Sequence, residues 1–386
     1  MNESTITPGG GQPGMPVRGL SPTGLEAVGS VAVRTFATQQ HMTTAPQTMD
    51  GPHVNATAGN ESSRDTDRFA DFAEVPEGHF YDPDAEYEPD PEYAATLAPD
   101  AARQRRERIG PTGRPLPYFP IPGPLTEHGP AKIIAMCNQK GGVGKTTSTI
   151  NLGAALAEYG RRVLLVDFDP QGALSVGLGV NPMELDLTVY NLLMERGMTA
   201  DDVLLKTAVP NMDLLPSNID LSAAEVQLVS EVARESTLQR ALKPLMADYD
   251  YIVIDCQPSL GLLTVNALTA AHKVIVPLEC EFFALRGVAL LTETIEKVQE
   301  RLNPELELDG ILATMYDSRT VHSREVLARV VEAFDEHVYH TVIGRTVRFP
   351  ETTVAGEPIT TYASNSVGAA AYRQLAREVL ARCHAE

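Results

Sequence analysis

The sequence predicts an α/β fold with a mostly parallel, doubly wound sheet, helices on both faces, and a long disordered N-terminal tail ahead of it. Three features of the chain lead there. Short runs of continuous Val, Ile and Leu recur from Ala131 onward, the mark of strands buried on both faces. Stretches with helical spacing separate them, supplying the crossovers that parallel pairing needs. Before Ala131 the texture differs: residues 1–128 are rich in Pro, Gly, Thr and Ser, with no sustained period of 2 or 3.6. The expected organisation is a tail and linker over 1–128 and one folded unit over 129–386.

Taken in order, "KIIAMCN" is the first strand, ending in a glycine-rich loop, and "TSTINLGAALAEYG" is a helix with a closing glycine. "RRVLLVDFD" and "YDYIVIDC" follow as buried strands, then "KVIVPLE", "LDGILATMYD" and a sixth, "HVYHTVIG". Helices are expected over Ser222–Val232, Leu238–Ala247, Gly261–Ala270, Ala284–Leu302, Ser323–His337 and Gly368–Ala381. In the last, Tyr372, Leu375, Val379 and Leu380 share a face opposite Arg373 and Arg377, and that face should pack on the sheet rather than on a membrane.

Within the tail, Asp71 to Asp100 holds ten acidic residues and no Lys or Arg, "RQRRER" (Arg103–Arg108) reverses the charge, and "PTGRPLPYFPIPGP" reads as a stiff proline-rich linker. "GLEAVGSVAVRTFATQQ" places Leu25, Val28, Ala32 and Phe36 on one helical face, a candidate motif for a tail-binding partner.

The net charge of −20 divides between the parts. Residues 1–130 carry 18 Asp and Glu against 9 Arg, or −9; the remainder carries 33 against 22, or −11. An acidic chain argues against indiscriminate coating of nucleic acid while leaving room for a local basic patch. With no basic and apolar leader and no run of eighteen apolar residues, neither a secretory signal nor a membrane span is expected. Four cysteines without C-x-x-C spacing fit buried thiols in a reducing cytoplasm.

In parallel sheets ligands bind beyond the carboxyl ends of the strands, and the chemistry-bearing residues fall there. In "NQKGGVGKTT" the glycines Gly141, Gly142 and Gly144, with Val143 between the last two, allow a tight turn whose amides face a phosphate at a helix N-terminus. Lys145 would reach the β- and γ-phosphates of ATP, the Thr146 hydroxyl would ligate Mg²⁺, and Thr147 continues the motif. The loop departs from the general G-x-x-x-x-G-K-[ST] pattern in having Gln139 at the first glycine position, followed by a second lysine, Lys140. "VLLVDFDPQG" places Asp167 and Asp169 two apart at a strand end, facing one side of an ideal strand. "YIVIDCQPS" ends a buried strand on Asp255, a costly position for a carboxylate unless a cation or donors meet it.

These motifs, with "LLPSNIDLSAAEVQLVSE", "VIVPLECEFFALRGV" and "MYDSRT" in order across Lys132–Ala381, resemble the ParA/Soj partition ATPases. They belong to the deviant Walker-A class of P-loop NTPases that also includes MinD. The resemblance implies that Lys140 reaches across a nucleotide-sandwich homodimer to the partner's phosphates, that Asp169 orients the hydrolytic water, and that Asp167 and Asp255 support the magnesium shell. It implies slow ATP hydrolysis and a ParB-like protein partner. It also implies non-specific DNA binding on the nucleoid by the ATP dimer, through Arg319, Arg345 and Arg348. The alternative it leaves is a MinD-like positioning ATPase acting through a protein or membrane partner. Two segments depart from the family pattern: Gln257 in "CQPS", and "IGRTVRFPETTVAGEPITTYA".

Overall fold

The computed structural model of the chain describes residues 109–281 and 284–384. The acidic stretch, the "RQRRER" run and the Leu25–Phe36 motif lie outside the described residues.

Seven strands form one sheet: β1 Lys132–Met136, β2 Val163–Phe168, β3 Leu205–Lys206, β4 Met212–Leu215, β5 Tyr251–Cys256, β6 Lys273–Glu279 and β7 Glu307–Thr314. Their order is β3-β4-β2-β5-β1-β6-β7, parallel except for the short antiparallel edge pair β3–β4. Five of the six expected strands appear. The pair β3–β4 was not anticipated, because "NMDLLPS" is brief and contains Asp213, whose charge is met by Lys206 and by the Tyr249 hydroxyl, each at 2.7 Å.

The sixth expected strand, "HVYHTVIG", is not a strand. It runs beside β7, donating from Tyr339 N to Ile311 O and from Ile343 N to Ala313 O. Between those points the backbone turns away: His340 N and Thr341 N donate to the Glu378 carboxylate at 2.8 and 2.9 Å. A side chain has replaced the ladder, so the β-branched pattern was satisfied without a seventh parallel partner.

The helices are α1 Lys145–Glu158, α2 Ala173–Gly177, α3 Val189–Met194, α4 Ala200–Val203, α5 Leu221–Gln227, α6 Thr237–Leu242, α7 Leu262–Ala270, α8 Ala284–Arg301, α9 Val321–Phe334, α10 Arg348–Ala355, α11 Ile359–Tyr362 and α12 Val367–His384. Alternate residues of each central strand point to opposite faces. Ile133, Ala135, Leu164, Val166, Ile252 and Ile254 pack with α7, α8 and α9. Ile134, Met136, Val163, Leu165 and Val253 pack with α1 and α12. The sheet is therefore covered on both sides, as the apolar runs predicted. In α12 the residues Tyr372, Leu375, Val379 and Leu380 are all buried in that second core, as their shared face predicted.

The proline-rich stretch expected as a stiff spacer is laid on the folded unit instead. Arg114 donates to the Asp335 and Val338 carbonyls, Arg161 donates to Gly123 O, and His128 and Gly129 N meet the Asp250 carboxylate. Proline fixes the chain without requiring backbone donors, so a few side-chain bonds suffice to dock it.

Candidate nucleotide site

β1 lies between β5 and β6 while its chain continues to β2 on the far side of β5, so the strand connections part at the carboxyl end of β1. A crevice opens at such a point. The loop after β1 occupies it. Gly142 and Gly144 have φ of 76° and 85°, conformations that a side chain strains, and a Cβ on Gly141 or Gly142 would meet nothing within 4 Å. The cradle is thus open, and α1 begins at Lys145 directly behind it.

Side chains that the sequence did not single out hold this loop. Asn138 donates to Pro277 O at 2.7 Å and accepts from Lys140 N at 2.9 Å, pinning the entry to β6. Thr314, at the end of β7, donates to Val143 O at 2.8 Å. Thr147 O accepts from Asn151, whose Oδ1 accepts in turn from Ile359 N.

The two lysines are placed differently. Lys145 is buried, its ammonium donates to Lys140 O at 3.1 Å, and burial holds it below the usual lysine range against the pull of Asp255. The Lys140 side chain is 43% exposed and its ammonium points to Glu279 and Glu281 rather than into the loop. Its amine serves no group of its own cradle.

Asp167 and Asp255 are direct partners on the adjacent strands β2 and β5. Asp167 Oδ2 accepts from Ser175 N at 2.8 Å and from Ser175 Oγ at 2.7 Å. Asp255 Oδ1 receives a long bond from Thr149 Oγ1, 3.4 Å, and Oδ2 is buried with no hydrogen-bond partner. Burial pushes the Asp167 carboxyl up to about 6; burial and then the Asp167 charge push Asp255 up to about 8. Two facing carboxylates without a cation are expensive, and an orphaned oxygen is the more so. The arrangement fits a divalent ion. Among the described residues no cluster of three acidic, His or Cys side chains could cage one. A few oxygen donors suit magnesium, which keeps its waters and takes phosphate oxygens. Thr146, Asp167 and Asp255 are the side chains that could hold it.

Asp169 lies just past the end of β2, and its N–H donates to Asp167 Oδ1 at 3.4 Å. β2 ends at Phe168, and Asp169 turns into a loop where its Oδ1 accepts from Gln171 N at 2.9 Å. Its negative charge, like that of Asp255, favours the charged form of Lys145.

A family profile described as an AAA domain matches residues 131–308. The chain is 48% identical over 250 residues to the sporulation initiation inhibitor protein Soj of Bacillus subtilis, covering 65% of this chain and 98% of that one. It is 47% identical over 255 residues to the chromosome partitioning protein ParA of Caulobacter vibrioides, covering 66% and 95%. The chain belongs to the ParA/Soj family of ATPases. Among solved structures, cobyrinic acid a,c-diamide synthase of Mycobacterium smegmatis is 46% identical, with a TM-score of 0.59, covering 66% of this chain and 96% of that one. That protein was solved with ADP and magnesium and with an ATP analogue and magnesium.

Each of the arginines expected to meet DNA faces a carboxylate, and that of Arg345 is Glu279, which also meets the loop lysine Lys140. Arg319 makes two bonds of 2.9 Å to Asp317, Arg348 is 2.9 Å from Glu351, and Arg345 is 3.5 Å from Glu279. Arg319 holds the Asp317 carboxyl down to about 2. The segment "GRTVRFPETT" forms α10 from Arg348, which the sequence did not forecast. Among the described residues no helix is long and apolar enough to cross a membrane.

Proposed function

We propose that this chain is an ATP-dependent dimerisation switch that hydrolyses ATP slowly and binds DNA without sequence preference as the ATP dimer. It would act in chromosome or plasmid partition with a ParB-like partner, in the cytoplasm on the nucleoid, with 129–386 as the ATPase unit. The observation that carries the reading is the division of labour between the two lysines. Lys145 lies inside its own cradle, whereas Lys140 stands at the rim with its ammonium turned outward. A cation so placed, once its two carboxylate partners release it, can reach a second molecule.

On this reading the amides of Gly141, Gly142, Val143 and Gly144, with Thr147, hold the phosphates, and Lys145 neutralises the β- and γ-groups. Magnesium, when bound, offsets charge on the phosphate oxygens. Thr146, Asp167 and Asp255 hold the ion and its water, and the vacant lone pairs of Asp255 Oδ2 suit that role. Asp169 orients the attacking water from beyond the strand end. Lys140 of one subunit meets the transferring group in the other, as an arginine finger does when supplied in trans. Nucleotide then forms part of the interface, and the γ-phosphate sets the dimer population rather than driving a stroke.

Arg319, Arg345 and Arg348 supply phosphate contacts, doubled by the dimer. If all six take a phosphate, log K should fall against log salt with a slope of about −5. Their carboxylate partners lower that number. The alternative, a MinD-like ATPase acting at a membrane, is disfavoured by the burial of the apolar face of α12. A synthase activity, as in the Mycobacterium smegmatis structure, would need no DNA.

The test is co-sedimentation of the full chain with DNA of mixed sequence, with ATP, ADP or no nucleotide, at two salt concentrations. Binding with ATP alone, weakened by salt, is the expected result. Equal binding in all three states, or none, refutes the switch.

A further inference from the structure

Lys140 is held. Its ammonium donates to Glu279 Oε2 at 2.9 Å and to Glu281 Oε2 at 2.6 Å. Glu279 closes β6 and Glu281 follows in a turn where Glu281 N donates to Glu279 O, which sets both carboxylates beside the loop. Because β6 pairs with β1, the loop and these carboxylates come from neighbouring strand ends. Asn138 ties the two backbones together, bonding Pro277 O on one side and Lys140 N on the other. A typical surface ion pair must order two free side chains, which consumes much of its Coulomb gain. Here both backbones are fixed and one amine meets two acceptors. The Glu279 side chain is only 14% exposed, so its position is set by packing. Among the described residues Arg345 also faces the pair, 3.5 Å from Glu279 Oε1, the oxygen that Lys140 does not use.

We propose that Glu279 and Glu281 form a clamp in cis that holds Lys140 in the monomer and so sets the concentration at which the nucleotide dimer forms. The inference rests on the trans role proposed for Lys140. An ammonium with both carboxylates cannot also meet a phosphate in another subunit. Both ion pairs must open before Lys140 crosses the interface, and a dimer opens two clamps. Glu279 and Glu281 are thus positioning residues, acting on the reaction only through the lysine. In the absence of DNA, Arg345 stays against Glu279 when Lys140 leaves and keeps part of the freed negative charge compensated.

The test uses the full chain carrying Glu279→Gln and Glu281→Gln, with a non-hydrolysable ATP analogue and magnesium, in sedimentation velocity. The dimer Kd should fall about tenfold, from two clamps of exposed ion pairs each contributing modestly. The difference should shrink in salt of about 0.5 M, where exposed pairs are screened. Glu281→Gln alone, at the more exposed carboxylate, should give about a threefold fall and keeps the test open should the double variant fold poorly. A second readout is acylation of Lys140 in nucleotide-free protein, followed by mass spectrometry, which should quicken severalfold in the double variant. An unchanged or raised dimer Kd overturns the clamp, whatever the acylation shows. If Lys140→Ala abolishes the dimer in the same experiment, the trans reading survives that failure. If Lys140→Ala dimerises normally, the trans reading falls and the clamp falls with it.

Discussion

Replacing Ser175 by alanine probes the site through a residue that never touches nucleotide in the proposed scheme. Ser175 Oγ donates to Asp167 Oδ2 at 2.7 Å and accepts from Ser217 N at 3.1 Å, with Ser175, Asp167 and Ser217 all wholly buried. The substitution removes a bond to a charged acceptor, about 1.5–3 kcal/mol, and leaves a buried N–H unpaired, about 1–3 kcal/mol. Because Ser175 N still donates to the same oxygen, the lower part of that range applies, roughly 3 kcal/mol in all. For a unit of this size that is a fall in Tm of about 6–12 °C. The pH dependence has a definite sign. Burial raises the Asp167 carboxyl from 3.8 to about 6, so the folded state holds a proton that the unfolded state has lost. Stability therefore declines as pH rises between those values, and a variant lacking a donor to the anion declines further. Melting the nucleotide-free protein at pH 5 and pH 8 should show the larger Ser175→Ala deficit at pH 8. A loss under about 0.5 kcal/mol, or one equal at both pH values, refutes the reasoning.

Three more outcomes follow from the geometry. Asp169→Ala should bind ATP and accumulate as a dimer with little turnover, seen by light scattering and phosphate release; normal turnover removes Asp169 from the role of positioning water. Charge reversal of two arginines that do not face the Lys140 clamp, Arg319→Glu with Arg348→Glu, should abolish DNA co-sedimentation and leave ATP hydrolysis without DNA unchanged; retained affinity at moderate salt would move the DNA surface elsewhere. Glu378→Ala should destabilise by about 2–5 kcal/mol, because His340 N and Thr341 N both lose their acceptor in a buried setting, and a guanidinium midpoint within error of the parent would contradict that account.

The parts of the fold legible in the sequence were those decided locally. Continuous apolar runs gave β1, β2, β5, β6 and β7, because a strand buried on both faces has no polar position to break its pattern. The loop from Gly141 to Thr147 was legible because its chemistry is contiguous, and Asp167 and Asp255 because each ends an apolar run. What was missed depends on distant approach. Ser175 reaches Asp167 only after β2 turns into α2, Thr149 meets Asp255 of β5 from helix α1, and Thr314 steadies the loop from β7. No spacing rule announces such contacts. The over-reading of "HVYHTVIG" has the same origin: its pattern is strand-like, and a glutamate 37 residues from Thr341 takes its donors. The docking of the stretch read as a stiff proline-rich linker was not legible because the groups that anchor residues 114–129, among them Asp250, Asp335 and Val338, lie far along the chain.

The central claim is that Lys140 acts in the partner's site, and mixing two inactive variants tests it. Lys140→Ala keeps its own Asp169 but has no lysine to lend; Asp169→Ala keeps the lysine but cannot orient water. In a mixed dimer, the site within the Lys140→Ala subunit receives a lysine from its partner and is complete. Steady-state phosphate release from the mixture should therefore rise well above that of either variant alone. Turnover no greater than the sum of the separate variants would place Lys140 in its own site and contradict the account.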